Sequence, residues 1–343
     1  MTNKNALTFV VSSDFHSRLA TVLCERVTMP DIVVMFFLLG LVAGLLKSDL
    51  SIPKEAYDTL SLLLMLTIGL KGGMALFGSV STNLIWEMLT VALVGAICPL
   101  LILPILRFVC GVSLANASSI AAHYGSVSAG TFAVVLTYVE SNNIEFGAQT
   151  TLYLVMLELP AIIVALAIYR FFNSEKQAEG VSHRAIWHET LTNRGVVLLV
   201  GGVLIGWMYG PVQGASVTEL LTGGFKAILA IFMLEMGLTA AETLRPFPYK
   251  QWKLVIFACV TPLAFAAIGA GAGIALGLPE GSVLILATLV ASASYIAAPA
   301  AIRSAIPDAD IGLAMLLSLG LTFPLNVIFG IPLYHSYISQ WIS

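Results

Sequence analysis

Two short stretches place small and hydroxylated residues inside otherwise apolar runs. The first is YGSVSAGT at residues 124–131, and the second is ASASYIAAP at residues 291–299. Gly125, Gly130 and Pro299 weaken or remove helical hydrogen bonds at these points. The N–H groups freed at a helix N-terminus favour an anion, whereas freed carbonyls with Ser and Thr hydroxyls can hold a small hard cation such as sodium. The residue types therefore indicate a shared site for an anion and a cation.

The composition places these stretches inside a membrane. Of the 343 residues, 58 % are hydrophobic and 10 % are charged, and the mean hydropathy is +0.95. Soluble domains carry about 25 % charged residues, so this chain is predicted to be an all-α integral membrane protein. A spanning helix needs about 20 mostly apolar residues. Ten runs qualify or come close, at residues 30–46, 56–77, 85–110, 117–138, 148–170, 195–210, 218–241, 252–277, 282–305 and 311–335.

Positive charge divides the connecting loops into two sets. Five loops with their flanking helix ends hold eleven Lys and Arg residues, whereas the four alternating loops hold none. Because cytoplasmic loops retain positive charge, both termini are predicted to lie outside the cytoplasm and the 172–194 loop inside it. In the segment 1–29, apolar residues recur every four positions from Phe15 to Val27. This spacing predicts an amphipathic helix on the outer membrane surface.

The two halves of the chain share an order of motifs. MLTIGLKGG at residues 65–73 matches MLEMGLTAA at residues 233–241 in four of nine positions, with an offset of 168. The same offset places Ser126 on Ser294, so the two polar stretches occupy corresponding positions in the fourth and ninth spans. The sequence therefore predicts an internal repeat.

Five spans per repeat is an odd number, so the second repeat, 195–343, is predicted to be inverted relative to the first, 30–171. Inverted repeats are common in secondary transporters, where broken helices from the two halves meet near the membrane midplane. A broken helix is tolerated in a bilayer only where it faces protein or a water-filled cavity. The alternative interpretation is that the small residues only allow close helix packing.

Three ionisable residues, Lys71, Glu158 and Glu235, fall at membrane depth. Such groups usually face a cavity or a partner. The repeat places Glu235 opposite Thr67, one helical turn from Lys71, and predicts a structural Lys71–Glu235 ion pair. Glu158 precedes Pro160, whose kink could expose carbonyls, so Glu158 is a candidate cation ligand. The alternative is a solvated acid near a helix end.

The sequence contains no recognisable metal-ligand cluster, phosphate-binding loop or catalytic triad, and its basic residues form no nucleic-acid surface. The chain is therefore predicted not to be an enzyme and to have no cofactor. A coupling sodium ion is the only metal expected.

At these motifs the sequence resembles the sodium-dependent bicarbonate permeases of the SbtA type. The resembling blocks extend through both halves: IGLKGGMAL (68–76), YGSVSAGTFAVVLTYVE (124–140), LELPAIIVALAIY (157–169), SASYIAAPAAIRSAIP (292–307) and LTFPLNVIFGIPLYH (321–335). The resemblance implies ten transmembrane helices in two inverted five-helix repeats, with broken helices four and nine. It also implies a core domain that moves against a gate domain, as in an elevator, and a homotrimer in a bacterial inner membrane.

The resemblance further implies that bicarbonate and sodium bind where the broken helices cross. Gly125, Ser128 and Thr131 match the first motif of the family, and Ser292 and Ser294 match the second. The expected substrate-binding residues are Gly125, Ser126, Ser128, Ala129, Gly130, Ser292, Ser294 and Tyr295. The expected sodium ligands are Ser128, Thr131, Glu158 and Ser294.

Tyr295 stands where the permeases carry an aspartate, which removes a negative charge from the expected cation site. Sodium coupling and the choice of anion are open at this point. The permeases also bind a trimeric, nucleotide-sensing, PII-like protein on the cytoplasmic face, but the 172–194 loop carries no motif for such a partner.

Three functions compete at this stage. The first is sodium-coupled import of bicarbonate by alternating access, in which no covalent bond changes. The second is carriage of another small anion or carboxylate, since Tyr295 departs from the family pattern and no arginine lies near either break. The third is a non-transporting membrane scaffold or sensor that recruits cytosolic proteins. A scaffold does not need polar residues at the midplane, so the paired stretches favour a transporter.

Overall fold

The apolar runs fold into helices, which satisfy their own backbone hydrogen bonds, as a segment in lipid must. The computed structural model describes residues 31–78, 82–173, 192, 194–245 and 249–342, and this part of the chain contains helices and no strand. The predicted outer segment 1–29 and most of the predicted 172–194 loop lie outside the described residues. Both polar stretches belong to one compact unit, Val33–Ser343.

In chain order, the helices are α1 (Ile32–Leu45), α2 (Lys54–Leu76), α3 (Thr82–Pro104), α4 (Leu114–Gly125), α5 (Ala129–Ser141), α6 (Leu152–Phe172), α7 (Arg194–Gln213), α8 (Ala215–Gly223), α9 (Phe225–Thr243), α10 (Trp252–Ala275), α11 (Glu280–Val290), α12 (Ala297–Ala305) and α13 (Ile311–Ile342). A π-helical turn, Ile105–Val109, prolongs α3, and α13 contains π-helical segments at Leu316–Thr322 and Asn326–Gly330.

Six helical segments of the described residues are long and apolar enough to span a membrane, and the predicted ten are not confirmed. The six are α2, α3, α4 with α5, α6, α10 and α13. The pair α7 and α8, bent by 107°, gives a seventh if it is one span. The shortfall has physical causes: α1 has 14 residues, α11 has 11, and α9 holds three charged residues.

Helices α2 and α7 pack backbone against backbone. Gly69 and Gly73 on α2 meet Gly202 and Gly206 on α7, each pair spaced by four residues. A Cβ atom at Gly69 would collide with the Leu199 carbonyl oxygen. Small residues with this spacing let helices approach closely in lipid, so α2 and α7 form a tightly joined wall.

The two broken segments lie inside the molecule. The apolar window of Leu114–Ser141 is 94 % buried, whereas that of Asn83–Val109, which includes α3, is 44 % buried. Every residue of α11 from Gly281 to Val290 is also buried. Exposed apolar side chains on the outer helices, such as Phe108 and Leu220, suit a lipid environment. The polar stretches are therefore surrounded by protein.

Candidate anion and cation site

The first polar stretch separates α4 from α5 and supplies its own caps. The Ser126 N–H ends α4 by donating to the Ala122 carbonyl at 3.2 Å. Ser128 then precedes α5, and its Oγ accepts a hydrogen bond from the Thr131 N–H at 3.0 Å. Serine at this position satisfies one of the free N–H groups of the first turn. The YGSVSAGT motif is thus a helix stop followed at once by a helix start.

The second polar stretch separates α11 from α12 over a longer distance. The Ser292 hydroxyl donates to the Leu289 carbonyl at 2.7 Å, closing the end of α11. The Ser294 Oγ accepts from the Ala298 N–H at 3.2 Å, which caps the first turn of α12. Residues 291–296 lie between these helices. Both predicted breaks are therefore present, and each uses serine hydroxyls to satisfy helix ends.

Hydrogen bonds tie the two breaks to each other. The Ser128 N–H donates to the Ser292 Oγ at 3.0 Å, and the Ser294 N–H donates to the His123 carbonyl at 2.7 Å. Each bond joins residues far apart in sequence, so the breaks meet at one place, which we call the crossing (residues 123–131 and 291–298). The crossing brings the N-termini of α5 and α12 together.

A small cavity adjoins the crossing. About 20 Å³ of it is open to the centre of a water molecule, and one water needs roughly 10–15 Å³ on this measure. The crossing, α2, α6 and α7 all contribute to its wall. The lining residues are Met65, Val127, Ser128, Ala129, Leu154, Glu158, Leu199, Ser294, Tyr295, Ile296 and Ala297. The cavity therefore suits a small occupant.

Glu158 on α6 gives this cavity a carboxylate. No hydrogen-bond donor or opposite charge from the described part of the chain approaches that carboxylate. A carboxylate in an apolar interior is costly unless it is paired. Its oxygens and the nearby serine hydroxyls are the ligand types that a hard cation prefers.

Several polar atoms at the crossing lack a hydrogen-bond partner among the residues that the structure describes. These buried atoms are His123 Nε2, Ser126 Oγ, Thr131 Oγ1 and the Tyr295 hydroxyl. A buried polar group left unpaired costs about 1–3 kcal/mol. Such a concentration of unpaired groups is the feature expected of a site that a ligand completes.

The structure brings together part of the predicted site. Ser128, Ala129, Glu158, Ser294 and Tyr295 line the cavity. Ser126, Gly130, Thr131 and Ser292 belong to the crossing, but these residues are not part of the cavity wall. Gly125 instead packs closely against Pro99. A Cβ atom at position 125 would lie only 2.5 Å from the proline ring.

The predicted Lys71–Glu235 ion pair is wrong. The Lys71 ammonium lies 2.6 Å from Glu140 Oε1 and 4.8 Å from the centre of the Phe225 ring. Phe225 begins α9, and Glu235 is ten residues further along, about 15 Å at 1.5 Å per residue. The Glu235 carboxylate instead accepts from the Thr239 hydroxyl on its own helix at 3.3 Å. Lys71 thus joins α2 to the end of α5.

Sequence reasoning missed Asn326, which supports the second break. This residue is 0 % exposed, and its Nδ2 donates to the Ala291 carbonyl at 2.8 Å. The Tyr334 hydroxyl donates to Asn326 Oδ1 at 2.7 Å and fixes the amide. A lone amide within the apolar run 311–335 was the available signal. Met65 and Leu199 carry no such signal, because only the fold brings these apolar residues to the cavity.

The chain matches a known protein family over a region that includes both breaks and all residues that line the cavity. Residues 32–339 match the family described as the Na+-dependent bicarbonate transporter superfamily. No curated protein is similar enough to match the chain. The family match includes nearly all of the 343 residues and agrees with the resemblance of the motifs. With its crossed helix breaks and multiple apolar helices, this multi-pass membrane chain belongs to the Na+-dependent bicarbonate transporter superfamily.

Proposed function

We propose that this protein imports bicarbonate together with sodium and that the crossing holds both ions. The observation that supports the proposal is that helix N-termini, serine hydroxyls and the Glu158 carboxylate meet around one cavity, which is water-sized in this conformation and would have to widen to admit both ions. N–H groups at the start of α5 suit an anion, and carboxylate and hydroxyl oxygens suit sodium. Sodium near Glu158 would place a positive charge beside the anion, so each ion would favour binding of the other.

We further propose that the crossing moves against the wall formed by α2 and α7. Met65 and Leu199 on this wall line the cavity together with residues of both breaks, and both are apolar. At the cavity this apolar surface makes no directional bonds that would resist sliding, whereas the Lys71–Glu140 ion pair between α2 and α5 would have to break during the movement. The movement would be the rigid-body, elevator type of alternating access between two inverted repeats. The order of helices supports the repeat, since α2 to α6 and α9 to α13 have corresponding breaks.

The cellular setting belongs to the same proposal. We place the protein in a bacterial inner membrane as a homotrimer, with both termini outside the cytoplasm. The loop at 172–194 would then face the cytoplasm, where a PII-like regulator could bind. Uptake into inside-out and right-side-out vesicles would test the orientation.

The decisive experiment is uptake of radiolabelled bicarbonate into proteoliposomes. The assay runs at alkaline pH, where little CO2 is present, with protein-free liposomes as the baseline. We expect uptake with an inward sodium gradient and baseline uptake when potassium replaces sodium. Equal uptake with both cations would remove sodium coupling from the proposal. Baseline uptake with both, from protein that elutes as one sharp species, would overturn bicarbonate transport.

Glu158→Gln tests the cation site within the same assay. The substitution keeps the shape of the side chain and removes its charge. Hydrogen bonds and contacts to charged groups contribute about 1.5–3 kcal/mol, so the sodium concentration for half-maximal uptake should rise about tenfold or more. Glu145→Gln is the matched control, because the Glu145 side chain is exposed and away from the cavity. An unchanged sodium dependence in Glu158→Gln would exclude Glu158 as a ligand.

A further inference from the structure

Tyr295 differs from the other buried tyrosines of the described residues. Tyr124, Tyr153, Tyr169 and Tyr334 are each at most 8 % exposed, and each hydroxyl has a hydrogen-bond partner. Tyr295 is 6 % exposed; Ser128 lies close to its hydroxyl, but no group in the described part of the chain has hydrogen-bonding geometry toward it. An unpaired buried hydroxyl is destabilising, so this one is a candidate for a ligand contact.

The Tyr295 hydroxyl lies at the N-terminal end of α5. A Cβ atom added to Gly130, the second residue of α5, would collide with it. Helix geometry leaves the N–H groups of Ala129 and Gly130 without intrahelical partners, whereas Ser128 already satisfies the Thr131 N–H. The phenol hydroxyl therefore lies against the first turn of α5, at the positive end of the helix, where two N–H donors have no intrahelical partner.

The ring of Tyr295 is fixed by its neighbours. It packs edge-on against Phe323 of α13, with 5.3 Å between ring centres. Phe232 of α9 approaches the same turn of α5, since its ring would lie 3.2 Å from a Cβ atom at Gly130. A ring packed in this way keeps its hydroxyl against the first turn of α5. Fixed donors aimed at one point are the arrangement that recognises an anion.

We propose that the Tyr295 hydroxyl donates a hydrogen bond to the transported anion at the N-terminus of α5. This inference rests on the proposed function and adds a specific ligand to it. The hydroxyl and the N–H groups at the start of α5 can donate hydrogen bonds to an anion, and no Lys, Arg or His among the described residues lines the cavity. The anion class is thus a small oxyanion bound by neutral donors, with bicarbonate as the tested case.

Tyr295→Phe should stabilise the ligand-free protein but weaken its affinity for bicarbonate. Removal of an unpaired hydroxyl should raise the thermal midpoint of the ligand-free protein. Loss of a hydrogen bond to a charged ligand should raise the KM for bicarbonate about tenfold or more. Tyr169→Phe is the matched control, because Tyr169 accepts from Asn173 at 3.0 Å near the far end of α6. We expect no rise in midpoint and an unchanged KM for that variant.

Gly130→Ala provides a second test of the same contact. Its methyl group would collide with the Tyr295 hydroxyl but would lie 3.5 Å from the ring carbon that bears it. The substitution should therefore lower the thermal midpoint when Tyr295 is present and should lower it less in Tyr295→Phe, where only the tight contact with Phe232 remains. An equal loss in both backgrounds would contradict the contact between the hydroxyl and the start of α5, and would overturn the inference.

The outcomes separate this inference from the proposed function. Wild-type uptake with an unchanged bicarbonate KM in Tyr295→Phe would overturn the inference and leave transport intact. A rise in the half-maximal sodium concentration alone would assign the hydroxyl to the cation and also overturn it. If the wild type transports no bicarbonate, formate, nitrate and acetate are tested for thermal stabilisation. Stabilisation by one of these anions that disappears in Tyr295→Phe would support the inference. Aggregation of the variant would overturn it, because removal of an unpaired hydroxyl is expected to raise stability.

Discussion

The two breaks meet at one crossing, but the chain builds them differently. The first occupies three residues, 126–128, and has Gly125 and Gly130 close to its ends. The second occupies six residues, 291–296, and contains no glycine. Glycine permits close approach of neighbouring backbone and side chains, so the first break can be short. The second reaches the same place with a longer unwound segment.

The capping bonds also differ between the breaks. The sequence repeat places Ser126 on Ser294, yet Ser294 caps α12 while the Ser126 hydroxyl has no partner in the described structure. The capping role of Ser294 belongs to Ser128 in the first half. The alignment of the two halves of the sequence therefore predicts the location of a break but not the bond that each residue makes.

The breaks are supported by different kinds of contact from outside. Gly125 lies against the ring of Pro99 and the methyl group of Ala161, which is packing without a hydrogen bond. The Ala291 carbonyl instead accepts from Asn326, whose amide is held by Tyr334. We therefore expect polar substitutions to affect the second break most and volume changes to affect the first.

Asn326→Leu should have the largest effect on stability. Leucine has a similar volume but leaves the Ala291 carbonyl and the Tyr334 hydroxyl unpaired. Each unpaired buried group costs about 1–3 kcal/mol, so the free energy of unfolding should fall by about 3 kcal/mol. Thermal unfolding in detergent, followed by tryptophan fluorescence, measures the change. Tyr334→Phe is the control, because it removes only the hydrogen bond between Tyr334 and Asn326. If Asn326→Leu lowered the free energy of unfolding by no more than this control, the bond to the Ala291 carbonyl would contribute nothing.

Gly125→Ala should have an intermediate effect. The added methyl group would lie 2.5 Å from the Pro99 ring and 3.1 Å from the Ala161 methyl group. Overpacking of this size costs about 1–3 kcal/mol. The same thermal assay checks the change, and Ala293→Gly, at the position that corresponds to Gly125, is the matched substitution in the second break.

A double substitution identifies the cause of the Gly125→Ala effect. Pro99→Ala removes the ring and makes room for the new methyl group. The loss caused by Gly125→Ala should therefore be smaller in the Pro99→Ala protein. Strictly additive losses would show that the Pro99 contact is not responsible.

Much of the fold follows from local patterns in the sequence. Apolar runs locate the helices, because each run must satisfy its backbone groups internally. Gly125, Gly130 and Pro299 locate both breaks, since these residues alter helical hydrogen bonding wherever the helix lies. The predicted sixth span ends at Gly210, where φ is 63°. The 107° bend between α7 and α8 was not predicted, because the direction in which the chain leaves the end of α7 depends on distant packing.

Contacts between distant segments could not be predicted in the same way. The prediction of a Lys71–Glu235 pair failed because the alignment of the two halves gives matching positions in two helices. It does not give the height at which those positions lie along the packed helices. Lys71 instead reaches Glu140, which the sequence places at the end of a different span. Glu158 was identified because a lone carboxylate beside Pro160 is unusual in an apolar run. Tyr295 was expected in the site through family resemblance, whereas its contact with Gly130 depends on the fold.

The comparison of Ser126 with Ser128 gives the smallest expected effect on stability and the clearest separation of folding from binding. Ser128→Ala removes the cap of α5 and should cost about 1 kcal/mol. Ser126→Ala removes a hydroxyl without a partner in the described residues, so the ligand-free protein should be equally stable or slightly more stable. Its bicarbonate uptake should nevertheless fall if the unpaired hydroxyls of the crossing mark the binding site, because Ser126 carries one of them, although it lies outside the cavity wall. Ser318→Ala is the buried control, since its hydroxyl donates to the Ala314 carbonyl within α13. If Ser126→Ala lowered the thermal midpoint as much as Ser128→Ala while uptake stayed normal, Ser126 would be structural, and the unpaired hydroxyls would not mark the binding site.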